Sequence, residues 1–225
     1  MYPSSNKTLF RSPVLPPHIS PSIRILLDHA QIRSFPARHS IVHAGDSSTS
    51  LFFILRGSVS IIVEEEDHKE IVVAYLNAGD FFGEMGLFES QPQRSAWVRT
   101  RTACELAEIS YQKFHELARQ YPDLTFALFA QLSLRLKKTT RKVTDLAFMD
   151  VTGRIARCLL ELSGQPDAMT LTEGKQIRIT RQEIGRLVGC SREMVGRVLK
   201  TLEEQGVIRT HGKTILIYSA SSRSS

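Results

Sequence analysis

The stretch at 180–206, TRQEIGRLVGCSREMVGRVLKTLEEQG, constrains the fold more than any other part of this chain. It reads as two short helices around a tight turn. Thr180 and Glu183 have the spacing of a capping box, in which hydroxyl and carboxylate satisfy orphan backbone donors at a helix start. Ile184, Leu187 and Val188 give the first helix an apolar stripe. Gly189 can leave that helix with positive φ, and Ser191 is a favoured N-cap for the next. Val195, Val198, Leu199 and Leu202 recur at helical spacing, whereas Arg192, Glu193, Arg197 and Lys200 occupy the opposite face. A helix built this way docks by its apolar side and offers its polar side to a groove such as the major groove of DNA. Ile177 to Ile179 form a short strand before the pair. Segments 207–209 and 214–218 make a hairpin around His211-Gly212-Lys213, so the whole reads as a winged helix.

The rest of the chain has a different period. Between residues 33 and 109 short β-branched and aromatic runs alternate with turn signals at Gly45-Asp46, Gly57, 77–80 and 91–93. That spacing predicts an antiparallel roll or barrel. The acidic run 64–67 lies between two strands and reads as a solvated hairpin tip rather than a metal site. A short helix is expected near 23–29, another at 111–120 ending before Pro122, and a long one over 123–147. In the long helix Thr125, Phe129, Leu132, Leu136, Thr139, Val143 and Leu146 are spaced 4, 3, 4, 3, 4, 3. This is a heptad seam, which a helix lying only on its own roll would not need. It predicts a parallel helix–helix dimer. Thr139 within the seam either sets register or touches a ligand. Residues 148–151 read as a hinge, 153–163 as a helix and 164–174 as a loop. The expected fold class is therefore α+β: an arm at 1–20, a β-roll at 21–122, a dimerisation helix at 123–147 and a winged helix at 148–225.

Composition narrows the function classes. The 225 residues carry a net charge of +6, which weakly favours polyanionic partners. Cys104, Cys158 and Cys190 are few, odd in number and far apart, as expected for buried or half-buried thiols in a reducing, cytoplasmic setting. They form no clustered metal set. No apolar run reaches the ~18 residues of a membrane span, and no signal peptide is legible.

Segment 81–98 carries a second constellation. Gly83 and Gly86 bracket Glu84 in apolar surroundings, and Arg94-Ser95 follows a Gln/Pro loop. Glycines beside a short helix let backbone N–H groups approach an anion. Arg94 adds charge and a forked donor for phosphate oxygens, and Ser95 adds a hydroxyl. Two readings remain open on chemistry alone. Arg94 and Glu84 form an internal ion pair, or Arg94 binds a phosphate while Glu84 accepts from a ribose hydroxyl. A carboxylate beside a phosphate site points to a ligand bearing both groups.

FGEMGLF at 82–88, RSAWV at 94–98, LAFMDVTGRIAR at 146–157, QPDAMT at 165–170 and the segment 179–200 together resemble the cyclic AMP receptor proteins of the Crp/Fnr regulator family. The resemblance spans about 35–218. It implies a cyclic-nucleotide site in which Gly83 and Glu84 hold the ribose and phosphate side, and Arg94 and Ser95 hold the cyclic phosphate. Thr139, with Thr140 of the other subunit, would meet the adenine of cyclic AMP. Thr140 stands where well-known members have Ser and keeps the hydroxyl. For DNA, the resemblance puts Arg192, Glu193 and Arg197 at base edges. That agrees with the pairing of Arg to guanine and Glu to the cytosine amino group. Thr180, Arg181, Gln182, Ser191, His211 and Lys213 would bind phosphates. Segment 168–176 would touch RNA polymerase, with Leu171-Thr172 where the family usually has His-Pro.

The implied protein is a homodimeric, ligand-switched transcription regulator on palindromic DNA. Three rivals follow from the same residues: a relative controlled by cyclic di-GMP, an enzyme, and a nucleotide sink without DNA binding. The sequence offers no nucleophile–base pair and no P-loop for the enzyme. The arginine-bearing helix argues against the sink.

Overall fold

The computed structural model describes residues 20–65, 69–90 and 92–219. Residues 1–19 of the arm and 66–67 of the acidic tip lie outside the described residues. Helix α1 (Pro21–Asp28) starts on Ser20, whose hydroxyl accepts from the Ile23 N–H, with Pro21 at a position that needs no donor. Eight strands follow: β1 (Gln31–Phe35), β2 (Ser40–Val42), β3 (Ser50–Arg56), β4 (Ser58–Glu64), β5 (Glu70–Asn77), β6 (Phe81–Phe82), β7 (Trp97–Thr100) and β8 (Cys104–Ser110). They make two antiparallel sheets, ordered β1-β8-β3-β6 and β2-β7-β4-β5, which is the expected roll.

Strand β3 shows why the roll closes. Ser50 to Leu55 are all buried, because both faces of the strand are covered. Leu51, Phe53 and Leu55 pack with α1 and with helices α2 (Tyr111–Gln120) and α3 (Asp123–Phe148). Phe52 and Ile54 point the other way, with Phe82 of the same sheet, and meet Val59, Leu76 and Val98 from the second sheet. Leu124 and Leu128 of α3 are fully buried in the first cluster, which anchors the long helix on its own roll. Burial of each such side chain contributes about 1.5–3 kcal/mol.

The boundaries of α2 are as expected and α3 runs one residue further. Only Met149 and Asp150 separate α3 from α4 (Val151–Ser163), so the hinge is shorter than 148–151 and the next helix starts before Gly153. Asp150 caps α4 by accepting from the Gly153 N–H at 2.8 Å. Arg157 pairs with Asp145 across the break, and Arg154 donates to the Met149 carbonyl at 3.1 Å.

The 164–174 segment is not all loop. Strand β9 (Met169–Leu171) pairs with β10 (Gly174–Arg178), giving a sheet ordered β11-β12-β10-β9 with β11 (Ile208–His211) and β12 (Thr214–Tyr218). The strand expected at 177–179 is this β10, shifted toward the N-terminus. Helices α5 (Arg181–Val188) and α6 (Arg192–Glu204) pack on α4 and that sheet around Ile155, Leu159, Ile184, Val195, Leu199 and Ile215.

Candidate functional site

The cassette between β6 and β7 is organised by Gly83. Its φ of +82° suits glycine, and a Cβ there would stand 2.5 Å from Arg94 Nη1 and 3.1 Å from the Ser50 carbonyl. The backbone therefore turns directly beneath the guanidinium, ahead of a short 3-10 helix at Met85–Phe88. Gly86 is equally confined, since a Cβ would lie 2.6 Å from Pro92 and 2.9 Å from the Ser48 hydroxyl. Tyr111 ties this turn down: its hydroxyl donates to the Gly83 carbonyl and lies 2.5 Å from the Ser48 hydroxyl.

Arg94 is half-buried and sits 5.5 Å from the centre of the Phe52 ring. It donates to the Gly83 carbonyl at 3.4 Å and to the Ser50 hydroxyl at 3.2 Å. Among the described residues no carboxylate lies within ion-pair distance of it. Glu84 is paired elsewhere, with Arg135 of α3 at 3.1 Å, its side chain only 10% exposed. The internal Arg94–Glu84 pair is thus not formed. Arg135 also donates to the Phe81 carbonyl, and Gln131 one turn earlier accepts from the Phe81 N–H at 2.8 Å. Arg135 is the residue that sequence reasoning missed. It lies 51 positions from Glu84, and nothing local marks it. Ser95 is exposed beside Arg94. A cation held by neutral oxygens alone, next to a carboxylate fixed by a different cation, is a receptive seat for an anion with an adjoining hydroxyl.

Thr139 and Thr140 of α3 face different ways. Thr139 is four residues after Arg135 and seven after Leu132, on the side of the helix nearer the roll. Thr140 lines an open groove of about 680 Å³ with Ser133, Leu136, Lys137, Arg141, Thr144, Asp145 and Arg157. Of the heptad residues, Leu132 packs partly against the roll core. Phe129, Leu136, Val143 and Leu146 are 50–69% exposed. Phe126 and Phe148 extend that uncovered apolar face.

At the other end of the molecule the capping box is complete. The Thr180 hydroxyl accepts from the Glu183 N–H at 3.1 Å, and the Glu183 carboxylate accepts from the Thr180 N–H at 3.0 Å. Gly189 ends α5 at φ +73°. Gly185 lets the two helices touch, since a Cβ would meet the Cys190 carbonyl at 2.6 Å. Ser191 caps α6 through the Met194 N–H at 3.2 Å. Arg192, Glu193 and Arg197 are all exposed on the outer face of α6. Glu193 is held below the usual carboxylate range by its own backbone N–H and the Ser191 hydroxyl, with smaller help from Arg192 and Arg197. It is therefore an ionised acceptor at neutral pH. Arg181, Gln182 and Ser191 lie exposed at the starts of the two helices, and His211 and Lys213 at the wing. The Lys213 carbonyl accepts from the Ile179 N–H at 2.8 Å, which brings the wing beside Thr180.

Two family models match these two ends: a cyclic nucleotide-binding domain over residues 32–121 and a Crp-like helix-turn-helix domain over 153–220. The chain belongs to the Crp family of transcription regulators. Among similar Crp-family proteins is the cAMP-activated global transcriptional regulator Vfr of Pseudomonas aeruginosa, 58% identical over 196 residues, with 86% of this chain and 92% of Vfr covered. The cAMP-activated global transcriptional regulator CRP of Escherichia coli is 52% identical over 202 residues, covering 90% and 96%. The solved structure of CLP, a c-di-GMP responsive global regulator of Xanthomonas campestris, superposes with a TM-score of 0.83 at 46% identity, covering 88% of this chain and 99% of CLP.

Burial pushes the Cys158 thiol up to about 12 and the Cys104 and Cys190 thiols upward as well, so none is a ready nucleophile. Among the described residues no cluster of His, Cys, Asp and Glu could hold a metal, and no helix is long and apolar enough to cross a membrane.

Proposed function

We propose that this chain works as a homodimer that binds cyclic AMP in each roll and then reads a palindromic DNA site through its paired α6 helices. One observation carries the ligand reading: among the described residues the half-buried Arg94 guanidinium faces only neutral oxygens, because Glu84 is committed to Arg135. A cyclic phosphate between Arg94 and Ser95 supplies the missing charge. Glu84, fixed by Arg135, accepts from the ribose 2′-hydroxyl, and the Gly83 backbone lines the turn beneath. Thr139 of the same subunit and Thr140 of the partner contact the adenine, consistent with their different faces on α3.

The uncovered residues Phe129, Leu136, Val143 and Leu146 support pairing of α3 with its copy, joined by Leu132 and Thr139 along the edge of the seam. Ligand bound against both long helices favours the state in which the two α6 helices are about 34 Å apart, one turn of DNA. Arg192 and Arg197 then read guanine and Glu193 reads cytosine. Thr180, Arg181, Gln182, Ser191, His211 and Lys213 fix the phosphate register. The edge strand β9, with Met169 and Leu171 exposed within 168–176, is the surface offered to RNA polymerase. The sparse thiols, Cys104 buried and Cys158 and Cys190 half-buried, fit a cytoplasmic setting.

A second reading takes cyclic di-GMP as the controlling ligand, and the likeness to CLP favours it. One titration decides: binding to a palindromic duplex is followed by anisotropy as cyclic AMP, cyclic GMP or cyclic di-GMP is added. Tighter DNA binding with cyclic AMP alone is expected. A response only to cyclic di-GMP selects the second reading, and no response to any of the three refutes the switch.

A further inference from the structure

The winged helix does not hang free from the hinge; it is docked on the edge of the roll. Strand β5 is the outer strand of its sheet and α5 packs across it. Such an edge needs cover. Glu70 opens β5 and holds two cations. Arg99 of β7 donates to it at 3.4 Å, and Arg186 of α5 lies 2.8 Å from its other oxygen. The Arg186 contact is a close charge pair without the linear geometry of a hydrogen bond, and Glu70 is 18% exposed.

Further along β5 the Tyr75 ring reaches the winged-helix core. Arg101 stacks on that ring at 3.8 Å and pairs with Asp167 of the winged helix at 2.9 Å. Asn77 donates to Gln165 at 2.9 Å, and Lys142 of α3 donates to the Val73 carbonyl of the same edge at 2.8 Å. All these contacts use α5, the 165–167 turn and the end of α3. None uses the outer face of α6 or the wing, where Arg192, Glu193, Arg197, His211 and Lys213 stay exposed. A docking that silenced DNA reading would have covered that face.

We infer that Glu70 and Arg186 form an interdomain latch that holds the winged helix on strand β5 in the orientation that reads DNA. Both are positioning residues: neither touches the nucleotide seat, and both act through the orientation of α6. The direction of the effect on DNA rests on the proposed function. The latch itself does not, because it can be observed without DNA.

The test uses the full-length protein and the substitutions Glu70→Gln, Arg186→Gln, both together, and Arg186→Lys. Hydrogen–deuterium exchange is followed by mass spectrometry at β5 and at the 149–150 hinge. DNA affinity is measured at saturating cyclic AMP. Retained nucleotide binding shows that each variant is folded. Either single Gln substitution is expected to speed exchange at β5 and the hinge and to weaken DNA binding about three- to fivefold, the range of a partly exposed ion pair. The double variant should be no worse than Glu70→Gln alone, which already removes the Arg186 contact together with that to Arg99. Arg186→Lys should recover most of the loss, which a role in packing alone would not predict. Unchanged exchange in both single variants, or additive losses in the double, overturns the latch. Faster exchange with unchanged or tighter DNA binding overturns its role in the reading orientation. If cyclic AMP fails to tighten DNA binding in the unaltered protein, the functional proposal fails, while the exchange comparison still decides the latch.

Discussion

Replacing Gly83 by alanine separates backbone strain from ligand seating, because Gly79 provides a matched control. Both glycines have positive φ, +82° at Gly83 and +96° at Gly79. An added Cβ at either one costs about 1–2 kcal/mol of stability for that conformation. Their surroundings differ. At Gly79 the new methyl meets nothing within 4 Å, whereas at Gly83 it lies 2.5 Å from Arg94 Nη1. Ordinary contact begins near 3.4 Å, so the guanidinium must retreat by about 0.9 Å. The long Arg94 side chain absorbs that movement, and Gly83→Ala should fold. The displaced cation no longer lines up with a phosphate. A charge-assisted hydrogen bond is worth about 1.5–3 kcal/mol, which corresponds to roughly 10- to 150-fold in affinity. Thermal denaturation of the two variants should therefore show losses of the same order, somewhat larger for Gly83→Ala because its Cβ also stands 3.1 Å from the Ser50 carbonyl. Calorimetry with cyclic AMP should show near-normal affinity for Gly79→Ala and a drop of at least about tenfold for Gly83→Ala. Equal affinities in the two variants would refute the assignment of Arg94 to the phosphate.

Leu136→Glu puts a charge at an exposed apolar position of α3 without touching the roll core, so sedimentation should show loss of the dimer while each monomer stays folded. Arg197→Ala should lower discrimination between matched and mismatched operators by about 1–3 kcal/mol, whereas Lys213→Ala should weaken all sequences alike and lower the salt dependence. Burial, opposed by Arg101, pushes the Tyr75 phenol up to about 12 from an ordinary 10.0. Its folded-state pKa is raised, so its contribution to stability is complete below pH 10 and is lost as pH rises toward 12. Denaturant melts should show that alkaline loss, and Tyr75→Phe should flatten it.

What the sequence reveals here depends on the reach of each interaction. The capping box of Thr180 and Glu183, the αL exit at Gly189 and the Ser191 cap are contacts within a few residues, and each is found as read. The limits of α2 follow from Ser110 and Pro122 for the same reason. Strand β9 escaped notice because Met169 to Leu171 are all exposed and show no alternation; only pairing with β10 makes them a strand. The polar heart of the roll was legible by residue type and not by partner. The Arg94–Glu84 pairing that proximity in sequence suggests is replaced by Arg135 reaching back from the long helix. Likewise Leu132 keeps heptad spacing yet packs partly on its own roll, because one helix must serve two surfaces.

The grip of Arg135 on Glu84 ties the carboxylate proposed to meet the ribose to the same rod that carries the uncovered Leu136 and Val143. A shift in how two such rods lie together would drag that carboxylate with it, since Arg135 directly precedes Leu136. On the proposed reading, how firmly the subunits associate and how the nucleotide is held are thus not independent choices: a change at the mating surface would reach the nucleotide seat as well as the DNA-reading face.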